Sequence, residues 1–299
     1  MQANIYKIQK SDIHNGPGKR TVIYFKGCPL RCVWCSHPSS SGRPSQILWN
    51  SKKCFYCHLC EKNCPTHSLR FHNNQLNFNA ATCNGCNLCI SECPGRGLQP
   101  VGELLELEET MNLIRENQEE YRATGGGITL SGGDAVSQPK FATALLKACR
   151  AEGIHTAVAT TAFTSAIVFS RMMAYTDLLL FDLKHYDSRL HVQYTGASNQ
   201  SILENLDLAV SAGIPVIARI LLIPGVNNSL YDAGRFAHLL REHRVTQAEL
   251  IPFHHFGQKK CEEPHLPPAI KGMSTLRPAE LADYAKKLEE LGISVQLAH

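Results

Sequence analysis

Apolar and polar positions along this chain fall into two alternating rhythms. Thr21 to Lys26 runs through Thr, Val, Ile, Tyr and Phe, a β-branched and aromatic stretch that reads as a strand. From Leu104 to Tyr121 apolar residues recur at helical spacing among many glutamates, which predicts an amphipathic helix. Short apolar or β-branched runs follow at Ile128 to Ser131, Thr156 to Thr160, Leu178 to Asp182, Val216 to Leu222, Ala248 to Pro252 and Ser294 to Leu297. Helical patterns lie between them at Phe141 to Glu152, Ile202 to Ala212, Arg235 to His243 and Pro278 to Leu291. Alternation of this kind predicts an α/β fold with a parallel sheet built by right-handed crossovers, and a partial (β/α)6 barrel fits. Active groups should then gather at the C-terminal ends of the strands.

Residues 51–100 break the rhythm. They hold eight cysteines, few long aliphatic side chains and many turn formers, too little for an apolar core of their own. Cluster binding must supply much of their stability, so they read as an insertion between residues 1–50 and 101–299 of a larger domain. The eight cysteines form two matching runs: Cys54, Cys57, Cys60 and Cys64-Pro65, then Cys83, Cys86, Cys89 and Cys93-Pro94. This is the bacterial ferredoxin spacing twice over, in which the fourth cysteine of each run serves the other cluster. The expected ligand sets are Cys54, Cys57, Cys60 and Cys93 for one 4Fe-4S cluster, and Cys64, Cys83, Cys86 and Cys89 for a second.

A third group, Cys28, Cys32 and Cys35, follows the first strand directly. Three thiolates leave one iron of a four-iron cubane open to another ligand. A zinc knuckle would want a fourth ligand, and no nearby His or Cys completes one. A disulfide framework fits poorly with thirteen cysteines, an odd number, in 299 residues without a secretory signal. Cys149, within the periodic stretch Phe141 to Arg150, reads as a small core residue.

Composition narrows the setting. With 43% apolar residues the chain can build a real core, and no apolar run reaches the ~18 residues of a membrane span. A reducing cytoplasm and an oxygen-poor environment are expected. The formal charge of +4 counts thiols as neutral; eleven ligand thiolates and three dipositive cores would bring it to about −1. That removes the basic bias, and no aromatic-basic run suggests nucleic acid.

The CxxxCxxC loop resembles that of radical S-adenosylmethionine (SAM) enzymes, whose fold is the partial barrel expected above. The resemblance implies that the open iron chelates SAM and that an electron breaks a C–S bond, yielding methionine and a 5'-deoxyadenosyl radical. Further motifs occur in order: Asn15-Gly-Pro-Gly18-Lys-Arg20, Gly125 to Asp134 with its Gly132-Gly133 pair, Asp182-Leu-Lys184, Arg219 before Ile-Pro-Gly225, and Pro252-Phe-His254. Together these resemble the activating enzymes of glycyl radical enzymes, relatives of pyruvate formate-lyase activase, over essentially the whole chain.

That resemblance implies roles, each set against a plainer one. Gly132 and Gly133 would let the backbone approach the methionyl part of SAM, and Asp134 would receive its ammonium; an ordinary glycine turn is the alternative. Lys184 suits the SAM carboxylate, with a solvated surface lysine as the competing role, and Arg219 would fix that carboxylate or an incoming peptide. Asp182 would accept ribose hydroxyls or help hold a cation. His254 would touch SAM rather than rest in the core, and Trp34 would offer a face to adenine rather than only pack. Partners would be a glycyl radical enzyme, as protein substrate, and a flavodoxin or ferredoxin reductant.

Departures from the family pattern are informative. Asn15 stands where Asp is common, His37 where Asn often follows, Asp134 where Glu is commoner, Ala159 where an acid is typical, and Cys261 where Tyr usually continues the last motif. The loss at Ala159 argues against the monovalent-cation site of relatives. Two rivals stand beside the activase: a radical SAM enzyme acting on a small molecule, and a non-catalytic iron-sulfur electron carrier.

Overall fold

The computed structural model describes residues 1–35, 47–79, 82–253, 275–276 and 281–298. Its strands are β1 (Gln2–Asp12), β2 (Arg20–Phe25), β3 (Ile47–Trp49), β4 (Leu69–His72), β5 (Gln75–Phe78), β6 (Leu98–Pro100), β7 (Glu103–Glu106), β8 (Gly127–Gly132), β9 (His155–Thr160), β10 (Leu178–Asp182), β11 (Val216–Leu222), β12 (Gln247–Pro252) and β13 (Ser294–Leu297). Nine of them form one sheet in the order β13-β12-β11-β10-β9-β8-β2-β1-β7. From β2 to β13 every neighbouring pair is parallel. The (β/α)6 expectation thus accounts for β2 and β8 through β12, and β13 extends the parallel row. At the other edge β1 and β7 run antiparallel.

Strand alternation divides the molecule into an outer core and an inner face. Val158, Leu179, Phe181, Ile220 and Leu250 point to the helices and pack with Phe141, Leu145, Phe169, Leu206 and Phe236 in one continuous core. The intervening residues Ala157, Ala159, Leu178, Leu180 and Ile217 form a separate small cluster on the opposite face. Helix Pro139–Ala151 begins with Pro in its first turn, and Leu230–Glu242 is opened by a capping box of Ser229 and Asp232. Ala166–Met173 crosses from β9 to β10, and Ser188–Thr195 and Gln200–Ser211 lie between β10 and β11; the first two are capped by Ser165 and Asp187.

Two local expectations change. Leu104 to Tyr121 is not one helix: residues 103–106 are β7, paired with β1, followed by helices Leu107–Arg115 and Gln118–Thr124. The reason is partly capping, since Glu106 and Glu109 form a capping box that starts the helix there. Asn117, with non-helical backbone at φ −109° and ψ 11°, divides the two helices. Strand β1, which lies between β2 and the edge strand β7 and buries alternate residues Ala3 and Ile5, was also absent from the run pattern.

Between β3 and β6, which pair antiparallel, the chain repeats a small unit. One-turn helices Leu59–Lys62 and Leu88–Ser91 each follow a residue at positive φ, His58 at 59° and Asn87 at 58°. A hairpin joins β4 to β5 through Asn73 and Asn74, both at positive φ, the conformation a tight two-residue hairpin turn demands.

Candidate active site

The cysteine loop leaves the C-terminal end of β2 and is fastened on both sides. Lys26 N–H donates to Asn4 O at 3.0 Å, Arg31 N–H to Thr195 O at 2.8 Å and Val33 N–H to Tyr194 O at 2.9 Å. Beside it runs the end of β8, where Gly132 adopts φ 108° and a Cβ would lie 2.3 Å from Phe25 N. Gly133 N–H then donates to Phe25 O and Asp134 N–H to Gly27 O. Gly132 is therefore required first by the packing of β8 against the chain that enters the loop.

A cavity of about 390 Å³ opens here, lined by Cys28, Cys32, Cys35, Trp34, Gly132, Gly133, Asp182, Lys184 and Arg219. Nine expected site residues, from three strands and the cysteine loop, are thereby brought together. Burial pushes the Cys32 thiol up to about 11, while the Lys184 charge pulls the other way. Burial also raises the Cys28 thiol, and the nearby Asp134 charge adds to it. His254 and Cys261 lie outside the described residues, as does His37.

Strand register sets a polar row, of which Asp182 and Arg219 line the cavity. Asp182 of β10 is level with Arg219 of β11, which is level with Glu249 of β12. Arg219 Nε lies 3.5 Å from Asp182 Oδ1 and 3.3 Å from Glu249 Oε2, and Lys184 Nζ donates to Asp182 Oδ2 at 3.2 Å. Burial works against the Asp182 carboxylate, yet Lys184 and Arg219 outweigh it and hold its pKa below the usual range. For Lys184 the Asp182 charge likewise overcomes burial, so the ammonium is retained. Glu249 is different: burial holds its pKa above the ordinary carboxyl value, and Arg219 offsets this only in part. Arg219 Nη1 donates to Asn15 Oδ1 at 3.3 Å, bringing the loop between β1 and β2 into the cavity lining.

Arg219 Nε is buried and has no hydrogen bond among the described residues. The Asp182 and Glu249 carboxylates flank it, so an anionic group on a bound ligand would meet the guanidinium at the edge that lines the cavity. The three cysteines of one loop likewise suit a cubane. Among the described residues no group of three or more His, Cys, Asp or Glu is placed to hold one metal ion. A cubane instead takes its protein thiolates at separate corners, one to each iron.

Three assignments are revised or sharpened. Asp134 does not face the cavity: it is 2% exposed, and its carboxylate accepts from Val136 N–H, Thr160 Oγ1, Thr161 N–H and Thr161 Oγ1 at 2.6–3.2 Å. With those donors engaged it ties the end of β8 to the end of β9, and it is not placed to receive an ammonium. Trp34 lines the cavity but is buried with Ile223 and Phe253, and its ring sits 5.2 Å from that of Tyr194, so packing is a large part of its role. Ala159 is 5% exposed within the inner apolar cluster of Ala157, Leu178, Leu180 and Ile217. The pattern of runs missed Glu249, whose signal was a lone acid within the apolar run Ala248 to Pro252, and Tyr24, the inward residue of its strand.

Residues 22–237 match the Radical SAM superfamily. The choline trimethylamine-lyase activating enzyme of Oleidesulfovibrio alaskensis is 36% identical over 287 residues, covering 94% of this chain and 93% of that protein. The trans-4-hydroxy-L-proline dehydratase activating enzyme of Clostridioides difficile is 34% identical, covering 97% and 95%. The chain belongs to the glycyl radical enzyme activating enzymes of the radical SAM superfamily. Among solved structures, Streptococcus suis SuiB bound to precursor peptide SuiA matches with a TM-score of 0.53 at 12% identity, over 92% of this chain and 48% of that one, which shows the fold alone.

The activating enzyme gathers its other eight ligand-type cysteines around two further cavities. Cys54, Cys57, Cys60 and Cys93 line one, together with Trp49, Phe55 and Phe71. Cys64, Cys83, Cys86 and Cys89 line the other, of about 670 Å³, which also touches Ala3, Asn4 and Gln138 of the barrel. Backbone N–H groups already point at several sulfurs: Ser68 to Cys64 Sγ at 3.2 Å, Gly97 to Cys93 Sγ at 3.3 Å, Tyr56 to Cys54 Sγ and Gly85 to Cys83 Sγ at 3.4 Å. Such donors suit thiolate sulfurs, whose charge they stabilise. Cys149 is buried in the main core, its thiol 3.7 Å from Met111 Sδ. Among the described residues no helix is long and apolar enough to cross a membrane.

Proposed function

We propose that this activating enzyme binds SAM against a cluster on Cys28, Cys32 and Cys35 and acts on one glycine of a large partner enzyme. When bound, the cluster and SAM supply the electron and the organic radical that takes a hydrogen atom from the glycine α-carbon. The observation that carries this reading is the convergence of the three cysteines, Lys184 and Arg219 on one cavity. Lys184 and Arg219 offer two cations to the SAM carboxylate, and Asp182 holds both in place. Gly132 and Gly133 keep the neighbouring wall flat, and Trp34 closes the side of the cysteine loop. Glycine is the natural target because no side chain blocks its α-carbon. The partner must lend a peptide loop to the mouth of the barrel, so it opens transiently on binding.

Residues 51–100 are read as a ferredoxin-like insertion with two 4Fe-4S clusters, on Cys54, Cys57, Cys60 and Cys93 and on Cys64, Cys83, Cys86 and Cys89. The grouping of each four around its own cavity supports this division. A flavodoxin or ferredoxin is the proposed reductant. Relatives named for lyases and dehydratases suggest that the partner is an eliminase.

The test is anaerobic reconstitution with SAM, a chemical reductant and a candidate partner glycyl radical enzyme. A protein-borne glycyl radical in electron paramagnetic resonance is the expected result. Formation of 5'-deoxyadenosine without a protein radical would favour the small-molecule rival. With neither product, the iron-sulfur carrier would be the better reading.

A further inference from the structure

The two cysteine cavities of the insertion face different surroundings. That of Cys64, Cys83, Cys86 and Cys89 shares its wall with β1 and Gln138 of the barrel. That of Cys54, Cys57, Cys60 and Cys93 is lined entirely by residues between Trp49 and Leu98. Phe55 belongs to this second wall, yet it is 69% exposed. Any macromolecule that covered Phe55 would come within one side chain of the cavity.

The ground around Phe55 is basic and stiff. Asn50 Oδ1 accepts from Lys52 N–H at 3.0 Å, Lys53 N–H donates to Asn50 O at 3.1 Å, and Asn50 N–H donates to Gly97 O at 2.8 Å. A Cβ on Gly95 would lie 2.2 Å from Lys53 O, and one on Gly97 would lie 3.3 Å from Asn50 O. The two segments therefore lie backbone against backbone, which sets Arg96, between these glycines, on the same edge as Lys52 and Lys53. All three cations are exposed, and among the described residues none is paired with a carboxylate. Acids of the adjoining short helices are engaged elsewhere, Glu61 with His58 at 3.0 Å and Glu92 as acceptor from Asn63 Nδ2.

We propose that Lys52, Lys53, Phe55 and Arg96 form the docking surface for an acidic, low-potential one-electron carrier protein. The inference rests on the reading of residues 51–100 as a cluster-binding insertion and adds where its reductant binds. An apolar ring among unpaired cations matches a partner with acids around an exposed redox centre, and reversing charges at such a rim slows encounter and so weakens binding. Encounters between redox proteins bury little surface, so a patch of this size is sufficient.

The test titrates flavodoxin into the fully reconstituted enzyme at low ionic strength and reads binding from flavin fluorescence. Lys52→Glu/Lys53→Glu should weaken binding about tenfold, and Phe55→Ser severalfold, while raised salt weakens wild type towards the double variant. Lys140→Glu/Lys147→Glu, on an exposed face of the barrel, is the control and should bind as wild type. Iron content and the circular dichroism spectrum confirm loading; if Lys52→Glu/Lys53→Glu fails to load, Lys52→Ala/Lys53→Ala replaces it. Unchanged affinity in the insertion variants, or equal weakening in the control, would overturn the proposal. Wild-type affinity for flavodoxin with lost binding of the glycyl radical enzyme, or with loss of a self-associated dimer, would assign the patch to that other occupant. Radical formation with a chemical reductant is measured in parallel: if it persists, a negative docking result leaves the activase reading standing, whereas its absence in wild type refutes that reading on its own.

Discussion

Arg219 Nε lies 3.3 Å from Glu249 Oε2, and the pair is level across β11 and β12. A carboxylate on one side and Asp182 on the other hold this guanidinium at the cavity although it is largely buried. Glu249 tolerates that burial poorly, and its pKa is raised. A raised value means that its contribution to stability is complete below the unfolded pKa of about 4.3 and is lost as pH rises through the higher folded value. Glu249→Gln abolishes that loss. The melting temperature of the variant relative to wild type should therefore rise as pH increases above about 4.3, and a difference independent of pH would show that Glu249 titrates normally.

Arg219→Ala should leave Asp182 with Lys184 alone and leave the Glu249 charge buried without a partner. Removing one member of so enclosed a group costs about 3–5 kcal/mol at most. SAM affinity should fall at least about tenfold, as expected for one lost charge-assisted contact. Iron content should not change. Equal SAM affinity in wild type and variant, read from the cluster's spectral change on SAM addition, would remove Arg219 from the site.

Cys32→Ala tests the division of labour among the cysteines. Reconstituted wild type should carry about twelve irons in three clusters, and the variant about eight. SAM cleavage should disappear with the missing four. If cleavage were retained, the open iron would have to reside elsewhere.

Gly132→Ala puts a methyl group 2.3 Å from Phe25 N, at φ 108°, where neither backbone has room to yield. The strain should cost about 2–4 kcal/mol and lower the melting temperature by several degrees. Gly125→Ala shares a positive φ but meets nothing within 4 Å, so its cost should be about 1 kcal/mol. Equal effects from the two would mean that conformation alone, and not the contact with β2, makes Gly132 necessary.

Ala159→Asp adds an acid among Ala157, Leu178 and Leu180. Unpaired burial of that charge should destabilise the protein in potassium-free buffer. Wild-type SAM cleavage should respond weakly to potassium, and the variant more strongly if a cation then neutralises the new acid. Strong stimulation of wild type would show that another residue already supplies the ligand.

Cysteine chemistry was legible in the chain because ligand spacing is local: a loop that wraps a cluster corner places its thiols two or three residues apart whatever surrounds it. Parallel strands were legible for a related reason, since burial on both faces writes a run of apolar residues at each one. The row of Asp182, Arg219 and Glu249 was not, because its members lie on different strands and only the registers of β10, β11 and β12 bring them level. Asp134 shows the converse. Its place after two glycines suggested a ligand contact, but the four donors that claim its carboxylate include Thr160 and Thr161, which the sheet brings to it from the end of β9. The sequence alone therefore determined which cysteines and which cations the protein possesses and where its strands run; tertiary structure decided which charges meet in the cavity, because strand register and burial are properties of pairs of segments and not of either one.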